Sequence, residues 1–277
     1  MQEETELSTL EATARWTAAV RAMENARADA LFHDPWAEAL AGEEGRTWMA
    51  QRTADRVVPI VLRTRFFDDF LQHTTREFGI RQVVLLAAGL DTRAFRLDWP
   101  AGTRIFELDQ PTVLYYKARV LALAGAEPTC ARSAIEVDLA SPWTEALVAA
   151  GFDLQIPALC LLEGLLFYLP DEQLRGTLDE VTGLCARGSF LGFDVVNTVM
   201  LTHPLTRDWV EMQARSGAPW VGALDDPVGY LSARGWRATL TQAGEPEANH
   251  GRWPYPVYPP NLPDIPHNWL VTAHKEA

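Results

Sequence analysis

Val83-Val84-Leu85-Leu86-Ala87-Ala88-Gly89-Leu90-Asp91-Thr92-Arg93, followed by Phe106-Glu107-Leu108-Asp109, reads as a buried strand, a tight turn of small residues and a second strand ending in acid. A short apolar run bounded by turn residues suits a strand covered on both faces. A small-residue turn lets the backbone approach a ligand closely. A carboxylate after the next strand accepts hydrogen bonds from ribose hydroxyls. The pattern therefore points to an α/β fold that holds an adenosine-containing cofactor. A dinucleotide fold asks for Gly-x-Gly-x-x-Gly at this turn, whereas the chain has Ala87-Ala88-Gly89-Leu90-Asp91-Thr92, with one glycine. That is a poor pyrophosphate cradle, and S-adenosylmethionine has no pyrophosphate to cradle.

Strand and helix patterns alternate outward from this turn. The candidate strands are 82–88, 103–109, 132–138, 158–163 and 189–196, with helices over 111–124, 142–150 and 171–186. Ser141 before Pro142 is read as a helix start and Asp171 after Pro170 as a cap. This order predicts a mainly parallel sheet with right-handed crossovers and helices on both faces. Upstream, 8–73 reads as helical, broken at His33-Asp34-Pro35-Trp36, where His33 and Asp34 serve as turn and cap. Downstream, helices are expected at 204–216 and 226–234, and strands at 236–242 and 269–274. Trp253-Pro254-Tyr255-Pro256-Val257-Tyr258-Pro259-Pro260 cannot be a central strand, because proline removes ladder donors. It is expected as an ordered loop across the open end of the sheet.

The 277 residues suit one large core or a core with an appended subdomain. The expected division is a single domain, with a helical cap at 1–78, a cofactor core at 79–197, and an acceptor-pocket insertion plus last strands at 198–277. A net charge of −13 argues against broad contact with nucleic acid or anionic lipid. No run approaches the roughly 18 apolar residues of a spanning helix. The acidic start, Met1-Gln2-Glu3-Glu4, does not resemble a signal peptide. Cys130, Cys160 and Cys185 form no CxxC pair, so cytoplasmic thiols are expected, without a disulfide or zinc framework. The histidines form no close ligand pair, and no metal is expected.

Several motifs together resemble the leucine carboxyl methyltransferase family. They are Leu86-Ala87-Ala88-Gly89-Leu90-Asp91-Thr92-Arg93, Phe106-Glu107-Leu108-Asp109-Gln110-Pro111, Arg63-Thr64-Arg65-Phe66-Phe67-Asp68-Asp69 and Glu163-Gly164-Leu165-Leu166-Phe167-Tyr168-Leu169. Thr17 to Ala22, Asp34-Pro35-Trp36, Gly251 to Pro256 and Asn268 to Ala273 are similar to its bacterial branch, which includes the tetracenomycin polyketide O-methyltransferase. The resemblance implies a class I methyltransferase fold, a Rossmann-like sheet of seven strands, with S-adenosyl-L-methionine as donor and an oxygen as acceptor. It implies that Asp109 holds the ribose and that Asp138 and Leu139 read the adenine. Ala87 and Gly89 form the cofactor turn, where the family has Gly-Ala-Gly. Glu163 stands beside the methionine part, and Arg63 or Arg65 holds its carboxylate.

A carboxylate acceptor needs no base, whereas a phenol with a pKa near 10 benefits from one. His203, His250 and His267 are candidates, and their spacing selects none. Arg21, Phe167, Tyr168, Trp253 and Tyr255 are candidate acceptor contacts; Trp16, Trp209, Trp220 and Tyr258 could also stack on a flat substrate. The acceptor is expected to be a small molecule such as an aromatic polyketide or another secondary metabolite. The alternatives are a protein-modifying carboxyl methyltransferase, an NAD(P)-dependent oxidoreductase, and a cofactor-binding protein without methyl-transfer activity.

Overall fold

Strand β1, Gln82–Leu86, is buried along its whole length, as are β4, Ala158–Leu162, and β5, Phe190–Val196. Their side chains alternate between two cores. Val84, Leu86, Cys160, Leu162, Leu191 and Phe193 face one, while Val83, Leu85, Leu159, Leu161 and Phe190 face the other. A central parallel strand is covered on both sides, so both of its side-chain rows are apolar. A computed structural model describes residues 9–50 and 57–276, the side chains of 9–12 excepted. The parts of the expected 8–73 helical region at 8 and 51–56 lie outside the described residues, as does the acidic start.

The seven strands run in the order β3-β2-β1-β4-β5-β7-β6, with β2 at Arg104–Asp109, β3 at Ala131–Glu136, β6 at Trp236–Gln242 and β7 at Asn268–Lys275. All pairings are parallel except those of β7, which runs antiparallel to β5 and β6. The order reverses between β1 and β4. The crevice at the carboxyl ends of these two strands is where open α/β sheets bind ligands.

Helices α1, Thr9–Asn25, α2, Ala37–Ala50, α3, Val58–Glu77, and α5, Pro111–Leu123, contribute to one core; α4, Arg93–Arg96, is a single turn after β1. Helices α6, Thr144–Ala149, α7, Asp171–Leu184, and α10, Pro227–Ser232, contribute to the other. Helices α8, Thr198–Thr202, and α9, Arg207–Arg215, form part of the rim above the sheet.

Several boundaries differ from the sequence expectation. Helix α6 starts at Thr144, not at Ser141-Pro142, because Trp143 at its N-cap is fully buried and fixes the entry. Pro170 is the N-cap of α7, and Asp171 is its first helical residue, paired with Arg175 at 2.9 Å. The helix expected at 204–216 is α9, which begins only at Arg207, and it is preceded by a short helix the sequence reading did not include, α8, which stops before His203-Pro204. Asn197 caps α8 by accepting a hydrogen bond from the Met200 amide at 3.1 Å. Strand β1 ends at Leu86, because Ala87 enters the left-handed region with φ 50°.

Candidate active site

The turn after β1 is held from below by Asp109. Its Oδ2 accepts from the Gly89 amide at 2.6 Å and its Oδ1 from the Gln110 amide at 2.7 Å. Gly89 has φ 48°, a conformation that glycine adopts without strain. Each carboxylate oxygen keeps a second lone pair for a ligand. Burial pushes the Asp109 carboxyl above its ordinary value, against the pull of the two amides. Asp138 is exposed beyond the end of β3, its Oδ1 accepting from the Ala140 amide at 2.9 Å, with half-buried Leu139 beside it.

Across the crevice, Arg63 on α3 bridges two acids. Its Nε donates to Glu163 at 2.9 Å and its Nη1 to Asp194 at 2.8 Å. Asp194 is fully buried on β5 and also accepts from the Gly164 amide at 2.6 Å. Burial raises its carboxyl pKa, opposed by Arg63. A buried charge survives only when paired and hydrogen-bonded. Arg93 forms a second buried knot with Asp68, Asp91 and the Thr64 carbonyl. Its Nη2 also lies 2.8 Å from Glu163 Oε2, which is buried and accepts no hydrogen bond.

Arg65 points elsewhere, to Asp69 and the Leu31 carbonyl, and does not line the crevice. Of the two arginines singled out from the sequence, only Arg63 reaches the site. Arg21 is buried and its charge is paired with Asp34. It donates to Asp34 at 2.8 Å and to the Leu90 carbonyl at 2.6 Å, which braces the cofactor turn. Asp34, expected as a turn cap, is fully buried and also accepts from the Thr92 hydroxyl at 2.7 Å.

Asp109, Asp138, Leu139, Arg63, Glu163, Ala87 and Gly89 all open onto a cavity of about 1030 Å³. Part of its wall is a chain of rings. Phe167 lies 4.3 Å from Trp220 and 4.7 Å from Tyr168, Trp220 lies 5.6 Å from Trp209, and Trp209 lies 5.9 Å from Trp16. Trp253, Tyr255 and Tyr258 line it from the proline-rich segment, as expected of that loop. Burial raises the Tyr168 hydroxyl pKa. His203 and His267 line the cavity, whereas His250 is exposed and outside it, which removes His250 from the candidate bases. Among the described residues no cluster of three or more His, Cys, Asp or Glu could hold a metal ion, and no helix is long and apolar enough to cross a membrane.

Sequence reading missed Arg93 and Asp194. The signal for Asp194 was a charge inside an otherwise apolar strand, Phe190-Leu191-Gly192-Phe193-Asp194-Val195-Val196. Arg93 carried no such mark, since an arginine in the first turn of a helix is usually solvated.

The sheet order, with its one antiparallel strand next to last in space, is that of a class I methyltransferase. The chain belongs to the leucine carboxyl methyltransferase family, whose model matches residues 14–182. It is 40% identical over 259 residues to a candidate S-adenosyl-L-methionine-dependent methyltransferase from Streptomyces coelicolor, covering 87% of this chain and 88% of the relative. A similarly named protein from Frankia alni is 40% identical over 279 residues, covering 96% and 95%. Among solved structures, a DUF574-family protein from Streptomyces avermitilis superposes with a TM-score of 0.64 at 17% identity, covering 95% and 97% of the two chains. A methyltransferase-like protein from Thermobifida fusca gives 0.62 at 19%, covering 95% and 94%.

Proposed function

We propose that this protein is a methyltransferase that uses S-adenosyl-L-methionine to methylate an oxygen of a small, flat, largely apolar molecule. The observation that carries this reading is that one cavity is lined both by acids with an arginine and by a chain of aromatic rings. The residues present fit the cofactor. Asp109 keeps lone pairs for ribose hydroxyls, and Asp138 with Leu139 forms an edge for the adenine. Arg63 uses two of its five N–H donors on acids and keeps three for a carboxylate. Glu163, ion-paired with Arg63 and Arg93, keeps lone pairs that suit an ammonium. When bound, the cofactor supplies an electrophilic methyl group on a sulfonium. The chain's own part is to align the acceptor oxygen and exclude water, which can supply much of the rate.

The aromatic wall supports a small aromatic acceptor, such as a polyketide or other secondary metabolite. The family match also favours a second reading, methylation of a protein carboxyl terminus; a panel of peptides and aromatic metabolites separates the two. The single-glycine turn disfavours a dinucleotide.

Calorimetric titration with S-adenosylmethionine, S-adenosylhomocysteine and NAD tests the assignment. Micromolar binding of the first two and none of NAD is expected, and binding of NAD alone overturns it. Asp109→Ala should weaken cofactor binding by tenfold or more, since a hydrogen bond to a charged group contributes about 1.5–3 kcal/mol. Unchanged affinity would remove Asp109 from the site.

A further inference from the structure

In the cavity lining, just before β7, His267 is held from several sides. Its amide donates to Asn197 Oδ1 at 2.9 Å, its carbonyl accepts from the Asn197 amide at 3.1 Å, and Asn197 Nδ2 donates to the Ile265 carbonyl at 2.8 Å. The ring stacks on Trp269, with centroids 4.3 Å apart and planes at 17°. Its Nδ1 lies 2.7 Å from Gln242 Oε1. The Gln242 amide is oriented by its other end, where Nε2 donates to Glu245 Oε1 at 3.1 Å and to the Tyr258 carbonyl at 3.0 Å. An amide oxygen can only accept, so the network assigns the ring proton to Nδ1 and a lone pair to Nε2.

That Nε2 is buried and has no partner, in a residue only 3% exposed that lines the cavity. Oδ1 of Asn268, the next residue, lines the same cavity and is likewise a buried acceptor without a partner. A buried unmatched acceptor costs about 1–3 kcal/mol, which a donor on a ligand would recover. A bare Nε2 acceptor favours a ligand that brings an O–H group over a carboxylate, which has no proton to donate.

We propose that the bare Nε2 of His267 receives the proton of the methyl acceptor, and that the acceptor is therefore a hydroxyl, a phenol, rather than a carboxylate. This rests on the methyltransferase reading above. The acceptor O–H bond breaks, its proton bonds the Nε2 lone pair, and its electron pair stays on oxygen. That oxygen forms the new O–CH3 bond as the methyl–sulfur bond breaks and its electrons return to sulfur. The imidazolium left behind donates Nδ1–H to Gln242 and lies flat on the Trp269 ring, both of which favour its charge. Burial lowers the His267 pKa, so the ring is neutral and ready to accept at pH 7. The titratable groups on the surrounding elements are Glu245 beyond the Gln242 amide, Tyr255 and Tyr258 in the proline-rich segment, His203 after α8, and Asp194 on β5, already paired with Arg63.

The test uses full-length protein with S-adenosylhomocysteine and two flat probes, 2-naphthol and 2-naphthoate. Nitrogen-detected NMR of the His267 ring should show the Nδ1–H form in the free protein and a shift of the Nε2 signal on adding 2-naphthol but not 2-naphthoate. With S-adenosylmethionine, 2-naphthol should be the methylated probe, its rate rising with pH through a value below 6.5 and flat above. His267→Asn keeps a donor for Gln242 and loses Nε2. It should lower naphthol methylation about 10²- to 10⁴-fold while cofactor affinity stays within about twofold. An Nε2–H ring, preference for the naphthoate, naphthol left unbound by a protein that binds cofactor, or full activity in His267→Asn would each overturn the proposal. If the variant loses cofactor binding, the wild-type spectra and probe preference still decide. Absence of cofactor binding by the wild-type protein would instead sink the underlying reading.

Discussion

Ala87 shows what one methyl group does at a ligand turn. It sits at φ 50° on the cavity wall, where an L side chain crowds its own carbonyl. Such a conformation costs about 1–2 kcal/mol, and replacing Ala by Gly returns about 0.4–1 kcal/mol of that to the freer unfolded chain. Ala87→Gly should therefore stabilise the protein by about 0.5–1 kcal/mol in urea denaturation, with cofactor affinity kept or tightened. A loss of stability would show that the surroundings of Ala87, not its backbone, set its energy. At this scale the sequence was legible where residue type and chain position coincide. Asp109 and Glu163 follow apolar strands, and both line the site. It was illegible where two equivalent residues compete for one place. Arg63 and Arg65 differ only in helix face, and α3 turns Arg63 toward Asp194 and Arg65 toward Asp69. The histidines are the same problem in another form, since what distinguishes His267 is a network through Gln242 and Asn197, far away in sequence.

Among the elements, the segment joining β6 to β7 behaves as a strap. Gly244, at φ 98°, leaves no room for a Cβ, which would sit 2.2 Å from Trp253 Cδ1. The strap is tied to the N-terminal helices by Arg252, whose Nη2 donates to Glu24 Oε1 at 3.2 Å and to the Asp29 carbonyl. Glu24 is buried and also accepts from the Leu31 amide at 2.8 Å, so the anchor is rigid. Arg252→Ala should cost about 1–2 kcal/mol and should speed proteolytic cleavage within 250–262 relative to wild type, read by mass spectrometry of the fragments. Unchanged cleavage there would mean that the prolines and Trp253 packing hold the strap unaided. Strands were the most legible elements. The expected 236–242 coincides with β6, because apolar runs between turn residues leave little choice. Helix starts were less so. A Ser-Pro pair marks a possible start, but a buried Trp143 decides the actual one.

For the whole molecule, the ionised groups beneath the cofactor turn make stability depend on acid. Burial works against the Asp91 charge, but Arg93, Lys117 and Arg96 outweigh it and hold its carboxyl at about 2. The unfolded value is about 3.9. A depressed folded value stabilises above the unfolded value, and that contribution, about 2 kcal/mol, is lost as pH falls from about 4 toward 2. Asp109 and Asp194, both raised by burial, act with the opposite sign. Asp91→Asn should thus be about 2 kcal/mol less stable than wild type at pH 7, with the gap closing below pH 4 in urea titrations. A gap independent of pH would assign the effect to packing. The broad architecture was legible because alternating strands and helices admit few topologies. The two arginine knots were not, because each joins α3 to residues 25 or more positions away. The family match ends at residue 182, past Glu163 and before α8, α9, the strap and His267. Most of the residues proposed to hold the cofactor fall within that stretch, with Asp194 beyond it, while much of what would meet the acceptor is written in the remaining third. Descendants of such a chain can exchange what they modify without relearning how they modify it, and grafting 198–267 between relatives is the engineering counterpart of that freedom.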